Sequence, residues 1–122
     1  MDADTLLFFS AEPRALTLYQ AFEEALLSRF PSVRVKVCKT QISFSDRFGF
    51  AYVSLPRRKF RPRGSLLVTL GLPFRLDSPR VFQAVEPYPG RWTIHVVVTD
   101  ESEIDEELMS FVAMSHDFSE SK

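Results

Sequence analysis

The spacing of apolar residues changes twice along this chain, from a helical period to a strand period and back. Residues 13–29 carry apolar side chains at intervals of three and four, as an amphipathic helix does. From about residue 33 to residue 98, apolar residues alternate with polar ones or form short runs, as in β-strands. A helical period returns over residues 102–118. This order predicts an α+β domain, with an antiparallel sheet of about five strands flanked by an N-terminal and a C-terminal helix on one face.

The first helix is expected to extend from Pro13 to Arg29. Proline suits the first helical turn, because the N–H that it lacks would have no partner there. Ser10 is the expected N-cap, and Pro31 ends the helix.

The alternation of the next segment reverses its phase within a few residues. Apolar side chains occupy odd positions up to residue 37 and even positions from residue 42. The residues with this pattern are Val33, Val35, Val37, Ile42 and Phe44. Since side chains of a strand alternate strictly between two faces, we expect a bulge, turn or break at residues 38–41.

A third strand is predicted at Phe48–Leu55, with apolar residues on both faces, as in a central strand. One face is expected to carry Phe48, Phe50 and Tyr52, and the other Ala51, Val53 and Leu55.

Three more elements complete the sheet region. Strands are predicted at Leu66–Leu72 and Arg91–Val98, the latter launched by a type II turn at Pro89–Gly90. Between them, Ser78 followed by proline predicts a short helical turn that extends to about Val85.

The closing helix is expected from Ser102 to Phe118, and its start offers two capping-box pairs, Asp100 with Glu103 or Ser102 with Asp105.

Charge is divided unevenly along a chain whose formal net charge is only −1. Residues 29–95 hold thirteen Lys and Arg against three Asp and Glu, whereas residues 1–28 and 96–122 are acidic. We therefore expect a molecule with a basic sheet and acidic helices.

A single cytoplasmic domain spanning residues 1–122 is expected, with an ordered core at about residues 8–118. Cys38 is the only cysteine, so an intrachain disulfide and a multi-cysteine zinc site are both excluded. The sequence has no apolar run long enough for a membrane span and no secretory signal pattern, so no membrane association is expected.

The polar face of the predicted strands supplies a candidate binding site for an anionic ligand. If the strands after residues 39 and 91 were near neighbours, their outward side chains would form a group of hydrogen-bond donors suited to phosphate or carboxylate. The alternative is an ordinary solvated sheet face. The candidate ligand-binding residues are Lys39, Thr40, Gln41, Ser43, Arg91, Thr93 and His95.

A second basic feature is the loop PRRKFRPRG at residues 56–64, which resembles a phosphate-contacting element in type. Its cations are Arg57, Arg58, Lys59, Arg61 and Arg63. Nucleic-acid binding is a distant alternative, because a pI near 6.1 is low for a dedicated binder. The loop's charge would equally protect a sheet edge from aggregation.

Enzymatic and metal-dependent functions receive little support from the sequence. Ser43 and His95 lack the orienting acid and the nucleophile-elbow motif that a hydrolase would need, so no catalytic residue is assigned. His95 and His116 are the only histidines and show no ligand spacing with Cys38, so no metal site and no cofactor are expected. His116 is assigned to the end of the last helix, where an imidazolium suits the helix dipole.

An iron-chaperone role is a distant alternative, because the order of helix, antiparallel sheet and helix is similar to that of frataxin-like proteins. Glu101, Asp105 and Glu106 would provide the oxygen ligands, although acidic residues are also ordinary in a first helical turn.

Several segments of the chain resemble an uncharacterised bacterial family of domains of unknown function, related to the C-terminal domain of predicted transport proteins. These segments are KTQISFSDRFGFAYVSLPRRK, LDSPR, VEPYPGRWTIHVVV and EIDEEL. The family often has two consecutive histidines in the third segment, but here Ile94 replaces the first of them. The resemblance implies a fold and a candidate surface at Lys39, Thr40, Gln41, Ser43, Pro87, Arg91 and His95, and an accessory or binding role.

The expected function is therefore non-enzymatic binding of an anionic ligand or a partner protein through a basic sheet face. The alternative is a protein-interaction or homodimerisation module, in which aromatic side chains cover a partner. Those side chains would be Phe48, Phe50, Tyr52 and Tyr88.

Overall fold

A computed structural model describes residues 3–56 and 64–121. Two helices, α1 and α2, precede six strands, and a 3₁₀ turn at Glu101–Glu103 precedes the closing helix α3. The bounds are α1 Ala3–Phe8, α2 Pro13–Arg29, β1 Arg34–Val37, β2 Ile42–Ser45, β3 Gly49–Ser54, β4 Leu66–Leu72, β5 Val81–Tyr88, β6 Arg91–Val98 and α3 Glu106–Glu120. In the described ranges, none of the helices combines the length and the apolar character that a membrane crossing needs.

All six strands form one antiparallel sheet in the order β1-β2-β3-β4-β6-β5. The predicted α+β class is confirmed, with six strands where about five were expected. The helix α2 and the strands β4 and β6 have the predicted bounds, because their periodicity is long and uninterrupted.

The additional strand is β5, at residues for which we predicted a helical turn; that prediction is wrong. Only a short turn forms, in which the N–H of Val81 donates to the carbonyl of Ser78. The chain then pairs with β6, placing Ala84 opposite Ile94. Two register shifts, one between residues 81 and 83 and one between residues 85 and 88, interrupt the alternation by which a strand is recognised.

The core lies between the sheet and the helices α2 and α3, which both cover the same sheet face. Tyr19 and Phe22 of α2 pack their rings near Phe44 of β2, and α3 buries Leu108 and Val112. The facing sheet residues are fully buried or nearly so, namely Ile42, Phe44, Ala51, Val53, Leu66, Val68, Leu70, Leu72, Ile94, Val96 and Val98. The two-helix cover predicted from the sequence is therefore confirmed.

The start of α2 differs from the expectation in its cap. The residue before Pro13 is Glu12, which makes no side-chain capping bond, and Ser10 lies in the turn after α1. The short helix α1 was not predicted, and it brings the buried ring of Phe9 to within 5.2 Å of the Tyr19 ring.

Residues 38–41 form the turn of the β1–β2 hairpin, where the N–H of Cys38 donates to the carbonyl of Gln41 over 2.8 Å. The predicted break in the alternation is thus confirmed as a turn. In the turn of the β5–β6 hairpin, Gly90 has a φ of 74°, as the second central residue of a type II turn requires. The Asp100–Glu103 capping box is also present, but on the 3₁₀ turn, whereas Asp105 caps α3 itself.

A bulge between β2 and β3 changes the side on which Phe50 lies. Phe44 pairs with Ala51, but Ser45 pairs with Gly49, so Phe50 is the extra residue. Phe50 is therefore buried on the helix side together with Ala51, and the predicted sharing of one face by Phe50 and Tyr52 is wrong.

Ser115 of α3 bonds two backbone groups beside the bulge, just beyond Ala51 and Leu70, where the β3–β4 ladder ends. Its hydroxyl donates to the carbonyl of Phe50 over 2.5 Å and accepts the N–H of Gly71 over 3.0 Å. One buried hydroxyl thus joins β3, β4 and α3.

Candidate functional site

The sheet face opposite the helices carries a row of polar side chains that crosses all six strands. The register aligns one residue from each strand, and side chains aligned across neighbouring strands point to the same face. From β1 to β5 the row is Lys36, Ser43, Tyr52, Thr69, His95 and Gln83. At about 4.8 Å per strand spacing, the row is about 24 Å long.

His95 lies in the middle of this face and is half-buried. Its Nδ1 is 3.0 Å from the hydroxyl of Thr69, the neighbouring member of the row. Burial lowers the pKa of His95 below its ordinary value. The imidazole is therefore neutral at pH 7, and it offers hydrogen bonding more than positive charge.

An open space adjoins the row at Gly71 of β4, which pairs with Thr93 of β6. A Cβ placed on Gly71 would meet no atom within 4 Å, whereas one on Gly49 would lie 2.3 Å from the hydroxyl of Tyr52. Tyr52 thus fills the space above Gly49, and the space above Gly71 is open. A glycine within a central strand often marks a position at which a ligand or another backbone approaches.

The sheet order separates the residues that the sequence placed in one ligand site. Ser43 and His95 share the polar row, but β3 and β4 lie between their strands, so about 14 Å separates them. This distance also means that Ser43 and His95 do not form a nucleophile–base pair. Thr93 lies on the same face, one row from His95.

The remaining predicted residues lie at opposite ends of the sheet. Gln41 precedes Ile42, whose register aligns it with Val96, whereas Arg91 is at the start of β6. The offset of six residues and three strands corresponds to about 24 Å, beyond the span of one small ligand. Lys39 and Thr40 belong to the β1–β2 turn, where Lys39 lines a surface depression of about 420 Å³ beside α1. One compact site containing all seven residues is therefore not formed.

The cations of the basic loop lie outside the described residues, so the structure does not relate them to the polar row. They are Arg57, Arg58, Lys59, Arg61 and Arg63. The nucleic-acid alternative stays a prediction.

Two of the three acidic residues considered for iron, Asp105 and Glu106, make local structural contacts. Asp105 accepts the N–H of Leu108 and the guanidinium of Arg80, and the Arg80 bond is the main reason that its pKa is lowered. Glu106 pairs with Arg29, which joins α3 to the end of α2. These contacts account for the positions of both carboxylates, and a role as metal ligands is not needed to explain them.

The described residues contain one cluster that sequence reasoning missed. Asp46, His116 and Glu120 each offer a ligand atom, and these atoms lie within 4.8 Å of one another. The sequence did contain one signal, because His116 and Glu120 are four residues apart and so share a helix face. Asp46 lies seventy residues away in the chain, and only the fold brings it close.

The lowered pKa of His95 predicts a pH dependence of stability. The unfolded chain takes up a proton at about pH 6.5, but the folded chain does so only at lower pH. Between these two pH values the unfolded state binds more protons, so the free energy of unfolding falls as the pH drops below about 6.5. We expect His95→Gln to flatten this part of the pH profile, measured by urea unfolding at pH values from about 5 to 7.5. An unchanged slope in the variant would contradict the assignment to His95.

Comparison with known proteins gives one family. The family model described as "Domain of unknown function (DUF5655)" matches residues 7–119, nearly the whole chain. No curated protein and no solved structure matches the sequence. The resemblance to an uncharacterised family is thus confirmed, whereas the relation to predicted transport proteins and the bacterial origin stay predictions.

Proposed function

The chain belongs to the DUF5655 family, and we propose that it is a non-enzymatic binding domain that receives an anionic ligand on the uncovered face of its sheet. The observation that carries this proposal is the polar row at the centre of that face, which continues across all six strands. A sheet face with this many hydrogen-bonding groups in direct register can hold an extended polar molecule without any further element.

The distribution of charge favours an anion over a cation. Among the strand residues of the polar row and of the rows on either side of it, there is no Asp or Glu on the uncovered face. Arg34 and Lys36 of β1 and Arg91 of β6 lie at the margins of this face. The carboxylates of α3 lie on the opposite side of the sheet, so the face combines neutral donors at its centre with cations at its edges.

The revised ligand-binding set follows the register. Ser43, Thr93 and His95 are retained from the sequence prediction, and Lys36, Tyr52, Thr69 and Gln83 join them. Lys39, Thr40, Gln41 and Arg91 become peripheral, because they are displaced from the row along the strand direction, to one side or the other.

The open space at Gly71 provides a sharp test. Gly71→Val adds a branched side chain that suits a strand and, because a Cβ there contacts nothing within 4 Å, the fold is expected to tolerate it. The same side chain would occupy this open space on the uncovered face. We expect pyrophosphate or citrate, titrated into isotope-labelled protein, to shift the amide resonances of Thr69, Thr93 and His95, and the affinity to fall at least about tenfold in Gly71→Val, which corresponds to about 1.4 kcal/mol.

Thr17→Val serves as the matched control, because Thr17 is exposed on α2, on the helix side of the sheet. This variant should bind both anions as the wild type does. Pyrophosphate and citrate distinguish a phosphoryl ligand from a carboxylate one. The proposal fails if neither anion affects the face at millimolar concentration, or if Gly71→Val binds as tightly as the wild type.

A second copy of the chain is the alternative occupant of this face. The aromatic set predicted for such an interface is reduced, because Phe50 is buried on the helix side with 2% exposure. Val85 and Tyr88 of β5 are nevertheless exposed on the uncovered side, with exposed fractions of 43% and 68%. A dimer seen by light scattering that persists in high salt and is lost in Tyr88→Ser would favour this alternative over anion capture.

A further inference from the structure

A cluster of three metal-ligating side chains lies away from the uncovered face, between the β2–β3 turn and the end of α3. Asp46 belongs to the turn, and His116 and Glu120 lie one helical turn apart on α3. Nε2 of His116 is 3.1 Å from Oδ2 of Asp46 and 4.0 Å from Oε1 of Glu120. Both carboxylates therefore converge on the same imidazole nitrogen.

Two aromatic rings fix the orientation of this imidazole. The ring of Phe30 stacks on His116 with centroids 4.4 Å apart and planes at 20°, and the ring of Phe50 meets it edge-on at 4.8 Å. As a result the His116 side chain is only 15% exposed, and Nε2 points toward the carboxylates. A ligand held in this way loses little conformational entropy when it binds a metal.

Backbone contacts hold the two carboxylate groups near the imidazole. The N–H of Arg47 donates to Oε1 of Glu120 over 3.2 Å, and Arg34 donates to the backbone carbonyl of Asp46 over 2.8 Å. The guanidinium of Arg47 lies over the ring of Phe48, 5.4 Å from its centroid. Arg47 therefore positions Glu120 through its backbone amide, as outer-shell groups do for metal ligands.

We propose that Asp46, His116 and Glu120 form a site for a divalent cation of the class Mn²⁺, Fe²⁺ or Zn²⁺. One imidazole and two carboxylates are a ligand set that suits these ions, which accept nitrogen and oxygen together. The Asp46 and Glu120 side chains are 37% and 33% exposed, so solvent can reach the site and water can complete the coordination.

The present separations are close to those of a bound ion. Bonds of about 2.0–2.2 Å place neighbouring ligand atoms about 3.0–3.4 Å apart. The His116–Asp46 pair already meets this condition, whereas Glu120, 4.0 Å from the same imidazole nitrogen and within 4.8 Å of the Asp46 ligand atom, has to move closer to both. The four-residue spacing on α3 brings Glu120 to the imidazole nitrogen that Asp46 approaches from the β2–β3 turn, so the two carboxylates reach the same atom from two separate segments.

The test uses Zn²⁺ and Mn²⁺ as probes on chelator-treated full-length protein. Titration calorimetry should give one Zn²⁺ per chain, and Zn²⁺ should shift the Nε2 resonance of His116 while leaving that of His95 in place. Asp46→Asn and Glu120→Gln keep the side-chain shape and remove one charged ligand each. We expect each to weaken binding by at least about tenfold, as even outer-shell substitutions do.

The matched control is Glu24→Gln, which removes an exposed carboxylate from α2 outside the cluster. Its Zn²⁺ affinity should remain within about twofold of the wild type, and circular dichroism should show that all three variants are folded. Mn²⁺ should broaden the resonances of His116 and Glu120 selectively. The proposal is overturned if neither ion binds below about 1 mM, if the Asn and Gln variants bind like the wild type, or if Zn²⁺ shifts His95 instead.

Discussion

Replacing Ser115 by Ala is expected to lower the free energy of unfolding by about 2–4 kcal/mol. The Ser115 hydroxyl is the partner of the Phe50 carbonyl and of the Gly71 N–H, at the place where the β3–β4 ladder ends beside the β2–β3 bulge. An alanine leaves both backbone groups without this partner, and a buried unsatisfied group costs about 1–3 kcal/mol. Urea unfolding followed by circular dichroism measures the change.

Ser110→Ala is the matched control in the same helix. Ser110 is exposed, and its hydroxyl donates only to the carbonyl of Glu107 within α3. A loss of no more than about 0.5 kcal/mol is expected for it. If Ser115→Ala were equally mild, the Phe50 carbonyl and the Gly71 N–H would have to find other partners, and the bridging role of Ser115 would be wrong.

The second large effect is expected at Gly64, which precedes β4. Its φ is 78°, and a Cβ there would lie 2.6 Å from the Cβ of Arg14 on α2. Gly64→Ala thus combines left-handed backbone strain, about 1–2 kcal/mol, with overpacking against a side-chain atom that cannot move without α2. We expect a total loss of about 2–4 kcal/mol.

Gly90 separates these two contributions. Its φ of 74° is nearly the same, but a Cβ there would contact nothing within 4 Å. Gly90→Ala should therefore cost only the backbone strain, about 1–2 kcal/mol. Equal losses in the two variants would show that the close approach of the added methyl group to Arg14 costs no stability.

The regular elements could be predicted from the sequence because their periodicity is uninterrupted. The bounds of α2, β4 and β6 agree with the prediction, and the turn at residues 38–41 followed from a change in the phase of alternation. The bulged elements could not be predicted in this way. In β5 two register shifts remove the alternation, and at Phe50 a single extra residue transfers a side chain to the other face.

The alternation of apolar and polar residues shows which face of a strand a side chain occupies, but not which strands are neighbours. The candidate sites depend on the strand order and on helix packing. The sequence correctly indicated that Ser43, Thr93 and His95 point away from the helices, but it did not indicate that two strands lie between β2 and β6. The cluster of Asp46 with His116 and Glu120 requires the packing of α3 against the β2–β3 turn. Tertiary packing determines such a contact between distant segments, and the local sequence pattern of neither segment indicates it.

The two outer strands of the sheet determine how this protein can associate with itself. β1 has only four residues, with Arg34 and Lys36 directed to the uncovered side, and β5 departs twice from regular pairing and contains Pro87. Short, charged or irregular outer strands are poor templates for another chain. We therefore expect that the sheets of two copies do not pair edge to edge and that the native protein resists fibril seeding. Any self-association would then use side-chain contacts between sheet or helix faces, not backbone pairing of outer strands.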